Sequence, residues 1–214
     1  IKNEPNKLIE KLEYYCKNYK NNETMEKKKE EFLNNRKILN TFINTYNIDR
    51  AALYIYINKT CFNGFMQFNK EYKNTSSFGQ VVNPKFYKEK QIYNLSNKLK
   101  DVHLQNTDYK IFLQNVQKGD FIYMDPPYVP DDITKCNIKY NKNAWNYEDY
   151  TNMISLFNEL DKKGCYVMLS NSDTQFIRDN FKDKYNIKEI PIYRGITSVL
   201  KNRTVKNELL ITNY

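Results

Sequence analysis

Phe121-Ile122-Tyr123-Met124-Asp125-Pro126-Pro127-Tyr128 is a short apolar run that stops on a carboxylate, two prolines and an aromatic ring. Four apolar residues bounded by turn formers read as a buried strand. The prolines fix two φ angles and remove two backbone donors, so the strand ends there and its carbonyls are left facing outward. In an open α/β sheet, ligands bind beyond the carboxyl ends of the strands, which makes this corner the place to look for chemistry. A carboxylate and a rigid patch of carbonyls beside a flat ring suit one task, gripping the NH2 group of a planar base. The lone pair of such an amine is delocalised into the ring. If the Asp125 carboxylate and the Pro126 carbonyl accept its two hydrogens, the nitrogen becomes more tetrahedral and can face an electrophilic methyl. Stacking on Tyr128 would hold the base, which has to leave its duplex to reach such a corner. The rate would then come from positioning and electrostatics. The same four residues also make an ordinary turn after a strand, so the tetrapeptide alone leaves both readings standing.

Outward from this corner, strand and helix patterns alternate. Strands are expected at residues 102–105, 121–124, 166–169, 187–192 and 209–212, and helices at 109–116, 150–160 and 174–181. Tyr150, Met153, Ile154, Phe157 and Leu160 form one helical stripe, with Gly164 as its C-terminal stop. The rhythm argues for an open parallel α/β sheet with an antiparallel pair at its end.

Before residue 100 the texture is different. Leu8, Ile9, Leu12 and Tyr15, then Phe32, Leu33, Ile38, Leu39, Phe42 and Ile43, recur at intervals of three and four and predict helices burying one stripe. The run 17–31 is nearly all charged or amide and reads as a solvated helix face or loop. A third helix begins with Asp49 as its cap. From residue 58 onward, Asn-Gly and Ser-Ser turn chemistry interleaves with Phe62, Phe65, Phe68, Tyr72 and Phe78.

In 214 residues, 40% hydrophobic and 28% charged, there is enough apolar side chain for a core and too much charge for a membrane span. The net charge of +9 lies wholly in the first hundred residues, which carry 19 basic and 10 acidic groups. Residues 58–100 alone hold eight lysines and two acids. Such a segment suits backbone phosphates and base stacking, and equally a hairpin with aromatics inward and lysines in water. Cys16, Cys61, Cys136 and Cys165 are scattered without a close pair, so no zinc site or disulfide framework is expected. A lone histidine, His103, removes most His-based triads and metal sites and reads as structural. No secretory leader is visible, and an intracellular location, wherever the DNA is, is expected.

Asp125-Pro126-Pro127-Tyr128 resembles the catalytic motif of the S-adenosylmethionine-dependent amino-methyltransferases, and the order of the other segments is similar to the Dam-type (D12) DNA adenine methylases. The run from Tyr54 through Asn58-Lys59-Thr60-Cys61-Phe62-Asn63-Gly64 to Phe78-Gly79 resembles that family's approach to a DNA-contacting hairpin. Ser170-Asn171-Ser172-Asp173 resembles its Ser-Asn-x-Asp segment, and Lys206-Asn207-Glu208-Leu209-Leu210-Ile211 its last strand. The resemblance implies transfer of a methyl group from S-adenosylmethionine to adenine N6 of a flipped base in double-stranded DNA. By it, Asp125 and Pro126 bind the target amine and Tyr128 stacks on the adenine. Asp108, Tyr109 and Asp125 meet the cofactor, although Asp108 also reads as a plain helix cap. Lys59, Asn63, Phe68, Asn69, Lys70 and Lys73 face DNA, and no metal is implied.

The fold expected is therefore a Rossmann-like, S-adenosylmethionine-dependent methyltransferase sheet, incomplete at its N-terminus, with a mostly helical DNA-recognition region. Residues 1–98 form that region, with a hairpin near 62–80, and residues 99–214 form the C-terminal part of the catalytic domain. The five glycines, at 64, 79, 119, 164 and 195, include no G-x-G, and the family's cofactor loop is not found here. The expectation is a piece of a longer polypeptide that is inactive alone, with the missing segment supplied by the parent chain or another subunit. The alternatives are a DNA-binding module without catalysis, and methylation of cytosine N4, RNA or a protein amide.

Overall fold

The computed structural model describes residues 1–133, 145–193 and 205–214. They fall into two compact units, Ile1–Gln105 and Asn106–Tyr214.

In the first unit, α1 (Pro5–Asn21) starts with proline in its first turn, where a missing N–H costs nothing. The Thr24 hydroxyl caps α2 (Met25–Thr41) by accepting from Lys27 N, and the Asn47 side chain caps α3 (Ile48–Thr60) by accepting from Arg50 N. The cap of α3 is thus Asn47 and not Asp49, because only the earlier side chain reaches back over the first turn. Asp49 instead lies in that turn and pairs with Lys11 at 2.8 Å. Of the predicted stripes, Leu8, Ile9, Leu12, Phe32 and Leu39 are buried, Tyr15, Leu33, Phe42 and Ile43 are half-buried, and Ile38 is exposed. Leu8, Ile9 and Leu12 pack with Ala52 of α3 and with Ile92 of α4 (Glu89–Lys98). Tyr19, Phe32, Leu39, Leu53, Tyr56, Ile57, Cys61 and Phe86 form a second cluster, in which the rings of Tyr56 and Phe86 stack at 5.5 Å. Each such large side chain taken out of water contributes about 1.5–3 kcal/mol.

The polar run 17–31 is less solvated than its composition suggested. Tyr19 is fully buried and donates to Val81 O, while Lys28 lies over the Tyr19 ring and donates to Val82 O. Glu31 is half-buried beside them, and that burial pushes its carboxyl above the usual range against hydrogen bonds from Asn22 and Asn35. Residues 102–105 are not a strand. Val102 N continues the turn after α4 by bonding Leu99 O, and Val102 and Leu104 are exposed, since no neighbouring edge takes up their backbone groups. His103 is exposed as well, its Nε2 2.7 Å from Gln105 Nε2.

The second unit opens with a short helix, α5 (Tyr109–Phe112), followed by one 3-10 turn (Leu113–Asn115). Its sheet has the order β1-β2-β4-β3, with β1 (Phe121–Met124), β2 (Tyr166–Ser172), β3 (Asn186–Tyr193) and β4 (Val205–Thr212). Only β1 and β2 are parallel. They are joined through α6 (Tyr147–Lys162), which supplies the crossover length that parallel pairing needs. β4 pairs antiparallel with both β3 and β2. The result is a mixed α/β sheet, less parallel than its strand rhythm implied.

Asn146 and Asp149 form a reciprocal capping box at the start of α6, and Gly164 follows its end at φ 81°. Thr174 caps α7 (Gln175–Phe181). One sheet face is packed: Ile122, Met124, Val167, Leu169, Leu209 and Ile211 meet Tyr150, Met153, Phe157, Ile177 and Phe181. On the other, Phe121, Tyr123 and Tyr166 are exposed. No described helix is long and apolar enough to cross a membrane. Cys16, Cys61 and Cys165 are free thiols. Cys136 and Gly195 lie outside the described residues.

Candidate active site

Parallel register pairs Met124 with Leu169, so Asp125, the first residue beyond β1, and Ser170, within β2, lie side by side. Asp125 is exposed, and Pro126, Pro127 and Tyr128 are half-buried. The Ser170 hydroxyl donates to Asp125 Oδ1 at 2.9 Å, and the Tyr123 hydroxyl donates to Ser170 Oγ at 3.0 Å. No hydrogen bond to Asp125 Oδ2 is present among the described residues. Val129 N donates to Asn171 Oδ1 at 2.9 Å and Ser172 Oγ donates to Val129 O, which fastens the exit of the Pro-Pro turn to β2. Asn171 is fully buried and its Nδ2 has no partner among the described residues.

Tyr128 is anchored twice. Its hydroxyl donates to Glu208 Oε2 of β4 at 3.2 Å, and its backbone carbonyl accepts from the Tyr150 hydroxyl of α6 at 3.1 Å. Burial raises the pKa of the Tyr128 phenol, opposed by the Ser170 hydroxyl and reinforced by Glu208 and Asp125. The phenol therefore stays protonated, and a donor, through neutral pH.

Asp108 caps α5, accepting from Lys110 N at 2.9 Å. The Tyr109 ring lies 6.3 Å from that of Trp145, which meets Tyr150 edge-on at 5.3 Å. Tyr109, Trp145 and Tyr150 thus form an aromatic path that ends at the carbonyl of Tyr128. Burial first, then Asp108 and Asp149, raise the pKa of Tyr109. No cluster of metal-ligating side chains occurs among the described residues.

The basic and aromatic segment lies in the first unit. Residues 61–79 double back on themselves through two isolated antiparallel bridges, Cys61 to Phe78 and Phe68 to Asn74. At its base, Gly79 N bonds Thr60 O, and a Cβ on Gly79 would sit 2.4 Å from Cys61 O. Only glycine permits that approach. Lys59, Asn63, Phe68, Asn69, Lys70 and Lys73 are all exposed. Asn63 adopts a left-handed φ of 53° in a 3-10 turn (Phe62–Gly64). The Asn69 side chain serves its own turn, with Oδ1 accepting from Glu71 N and Lys73 N. From α2, Asn40 brackets the backbone of Asn74 with two hydrogen bonds and Arg36 donates to Ser76 O.

From sequence, Ser170, Asn171 and Glu208 stand out only as parts of segments and Tyr123 and Tyr150 only as apolar positions, while Trp145 is not singled out at all. The signal that could have found Ser170 is register: two parallel strands leading into polar residues at matched points put those residues together.

The chain is 32% identical over 216 residues to the type II methyltransferase M.MjaIII of Methanocaldococcus jannaschii, an alignment covering 100% of this chain and 74% of that protein. It is 31% identical to the type II methyltransferase M1.LlaDCHI of Lactococcus lactis subsp. cremoris, over 78% of this chain and 59% of that protein. With the DNA adenine methylase of Escherichia coli (strain K12) it shares 24% identity over 75% of this chain and 57% of that protein. The chain thus spans less than two thirds of the latter two. A family model matches residues 1–196, taking in both the doubled-back loop and the Asp125 corner, and the chain belongs to the family of D12 class N6 adenine-specific DNA methyltransferases.

Proposed function

We propose that this chain carries the target-binding corner of an enzyme that transfers a methyl group from S-adenosylmethionine to adenine N6 of a base flipped out of double-stranded DNA. The observation that carries this reading is Asp125: an exposed carboxylate at a strand end, one oxygen held by Ser170, beside the doubly anchored ring of Tyr128. Its other oxygen and the Pro126 carbonyl would accept the two hydrogens of the amine. A nitrogen held in this way turns its lone pair out of the ring plane. Tyr128 would stack on the purine and keep water from one face.

The residues present fit part of the cofactor. Tyr109 and Trp145 offer an aromatic face for a purine, Asp108 and Asp125 offer acceptors, and the buried Asn171 Nδ2 is a donor still to be matched. S-Adenosylmethionine, when bound, supplies an electrophilic methyl. In the same reading the four strands belong to a Rossmann-like sheet. The further strands and a glycine-rich turn would come from the additional length seen in the relatives, in the parent chain or another subunit. Residues 1–98 would serve DNA recognition, with Lys59, Asn63, Phe68, Asn69, Lys70 and Lys73 toward the duplex. The enzyme would work inside the cell, where its DNA is, and the names of the type II relatives suggest a modification role.

Asp125→Ala in the full-length protein tests this. We expect labelled methyl transfer to unmethylated DNA to fall by about a thousandfold, the scale of losing a preorganised group at the reacting centre, with DNA affinity kept. Mass spectrometry of nucleosides from DNA treated with the unaltered protein is expected to give N6-methyladenine. Full transfer by the variant refutes the role of Asp125, and N4-methylcytosine as the product refutes the substrate.

A further inference from the structure

Catalysis by positioning needs the acceptor carboxylate in one rotamer, and a strand-end aspartate on the exposed side of a sheet is free to turn unless something fixes it. Side-chain parity puts Phe121, Tyr123 and Asp125 of β1 on the same side as Tyr166, Met168 and Ser170 of β2. On that otherwise exposed side, Ser170 is 7% exposed. A hydroxyl carries one proton. Ser170 gives its proton to Asp125 Oδ1, so its lone pairs are left to accept, and the Tyr123 hydroxyl donates there. The Tyr128 phenol also feels the Ser170 hydroxyl while its own proton points at Glu208. Ser170 therefore holds one oxygen of the carboxylate that the proposed mechanism uses.

We propose that Ser170, backed by Tyr123, is a positioning residue for methyl transfer, locking the Asp125 carboxylate so that Oδ2 alone faces the target amine. This rests on the reading of Asp125 as the amine acceptor. The chain Tyr123 to Ser170 to Asp125 has one direction only, because reversing it would require the carboxylate to donate. The relay spends one carboxylate oxygen before any substrate arrives.

The experiment is steady-state methyl transfer by the full-length protein with labelled S-adenosylmethionine and unmethylated DNA, comparing Ser170→Ala, Ser170→Thr, Tyr123→Phe and Asp125→Ala. For Ser170→Ala we expect kcat to fall about 10–100-fold, the scale of losing a positioning contact, with both KM values within about twofold. Ser170→Thr, which keeps the hydroxyl, is expected to recover kcat to within about threefold, and Tyr123→Phe to lose about 3–10-fold. Tyr123 is exposed, so its variant removes a hydroxyl without opening a cavity and keeps the test valid if Ser170→Ala fails to fold. Wild-type kcat in Ser170→Ala and Tyr123→Phe, with Asp125→Ala dead, overturns the relay and leaves the Asp125 reading standing. A loss carried by KM, or one that threonine does not recover, likewise overturns it. Undiminished N6-methyladenine from Asp125→Ala removes the reading beneath it.

Discussion

The Asp125 corner and the loop at residues 61–79 both present polar and aromatic groups to solvent, but they are anchored by different means. At the corner, side chains hold side chains: Ser170 grips Asp125, Glu208 grips Tyr128, and Asn171 and Ser172 grip the backbone of Val129, all from central strands. In the loop, side chains hold backbone. Asn40 and Arg36 of α2 fix Asn74 and Ser76, and Asn69 closes its own turn, while at the tip Phe68 stacks on Tyr54 and Lys73 pairs with Glu71 on the exposed surface. The first design freezes the functional groups themselves. The second freezes only the path of the chain and leaves its surface residues replaceable, which suits chemistry at one place and recognition at the other.

If that contrast holds, the loop should be most sensitive at its backbone. Gly79→Ala sets a Cβ against the carbonyl of Cys61 and the amide of Phe62, which are backbone atoms that cannot swing aside. We expect a loss of about 2–4 kcal/mol from the first unit. The only tryptophan, Trp145, is in the second unit, so helix ellipticity and tryptophan fluorescence weight the two units differently in a urea titration. The ellipticity midpoint should drop and DNA affinity should fall with it. An unmoved midpoint would mean that the close approach at Gly79 does not close the loop.

The corner should instead respond to single side-chain atoms. Tyr128→Phe keeps the ring and removes the hydroxyl that reaches Glu208. About 1–1.5 kcal/mol of hydrogen bonding to a charged partner corresponds to roughly a tenfold loss in kcat, with DNA affinity unchanged. If kcat holds while DNA affinity falls, the hydroxyl belongs to binding and the contrast between the two regions is weaker than drawn.

How far each region could be read from sequence follows from the same difference. Most of the helical stripe positions, the helix beginning near Thr174, the stop at Gly164 and the strand leading into Asp125 were legible, because each rests on local periodicity or local capping. The failures are non-local. Residues 102–105 alternate like a strand yet find no edge to pair with, and the antiparallel insertion of β4 between β2 and β3 depends on pairing partners far apart in the chain. Ser170 and Glu208 needed register as well as pattern, since nothing in a serine after a leucine announces the carboxylate beside it. In the loop, the resemblance places Asn69 among the residues facing DNA, whereas its side-chain oxygen is already committed to two backbone amides.

The smallest expected effect separates two neighbouring lysines. Lys73 pairs with Glu71 at 2.7 Å, and this partner lowers the Glu71 carboxyl below its ordinary range, whereas Lys70 has no ion-pair partner among the described residues. Both are exposed, so neither change should alter stability measurably. If the loop meets phosphate, removing a free cation costs one full counterion-releasing contact. Removing a paired one costs less, because the leftover glutamate charge was already present and Lys73 had to leave it to bind. Lys70→Ala should therefore weaken DNA binding about 3–10-fold and lower the slope of log affinity against log salt by about one. Lys73→Ala should weaken binding only about twofold by the same reasoning. Glu71→Gln, which frees Lys73, should tighten binding and make the two lysine variants equal, a reversal that a loop held away from DNA would not show.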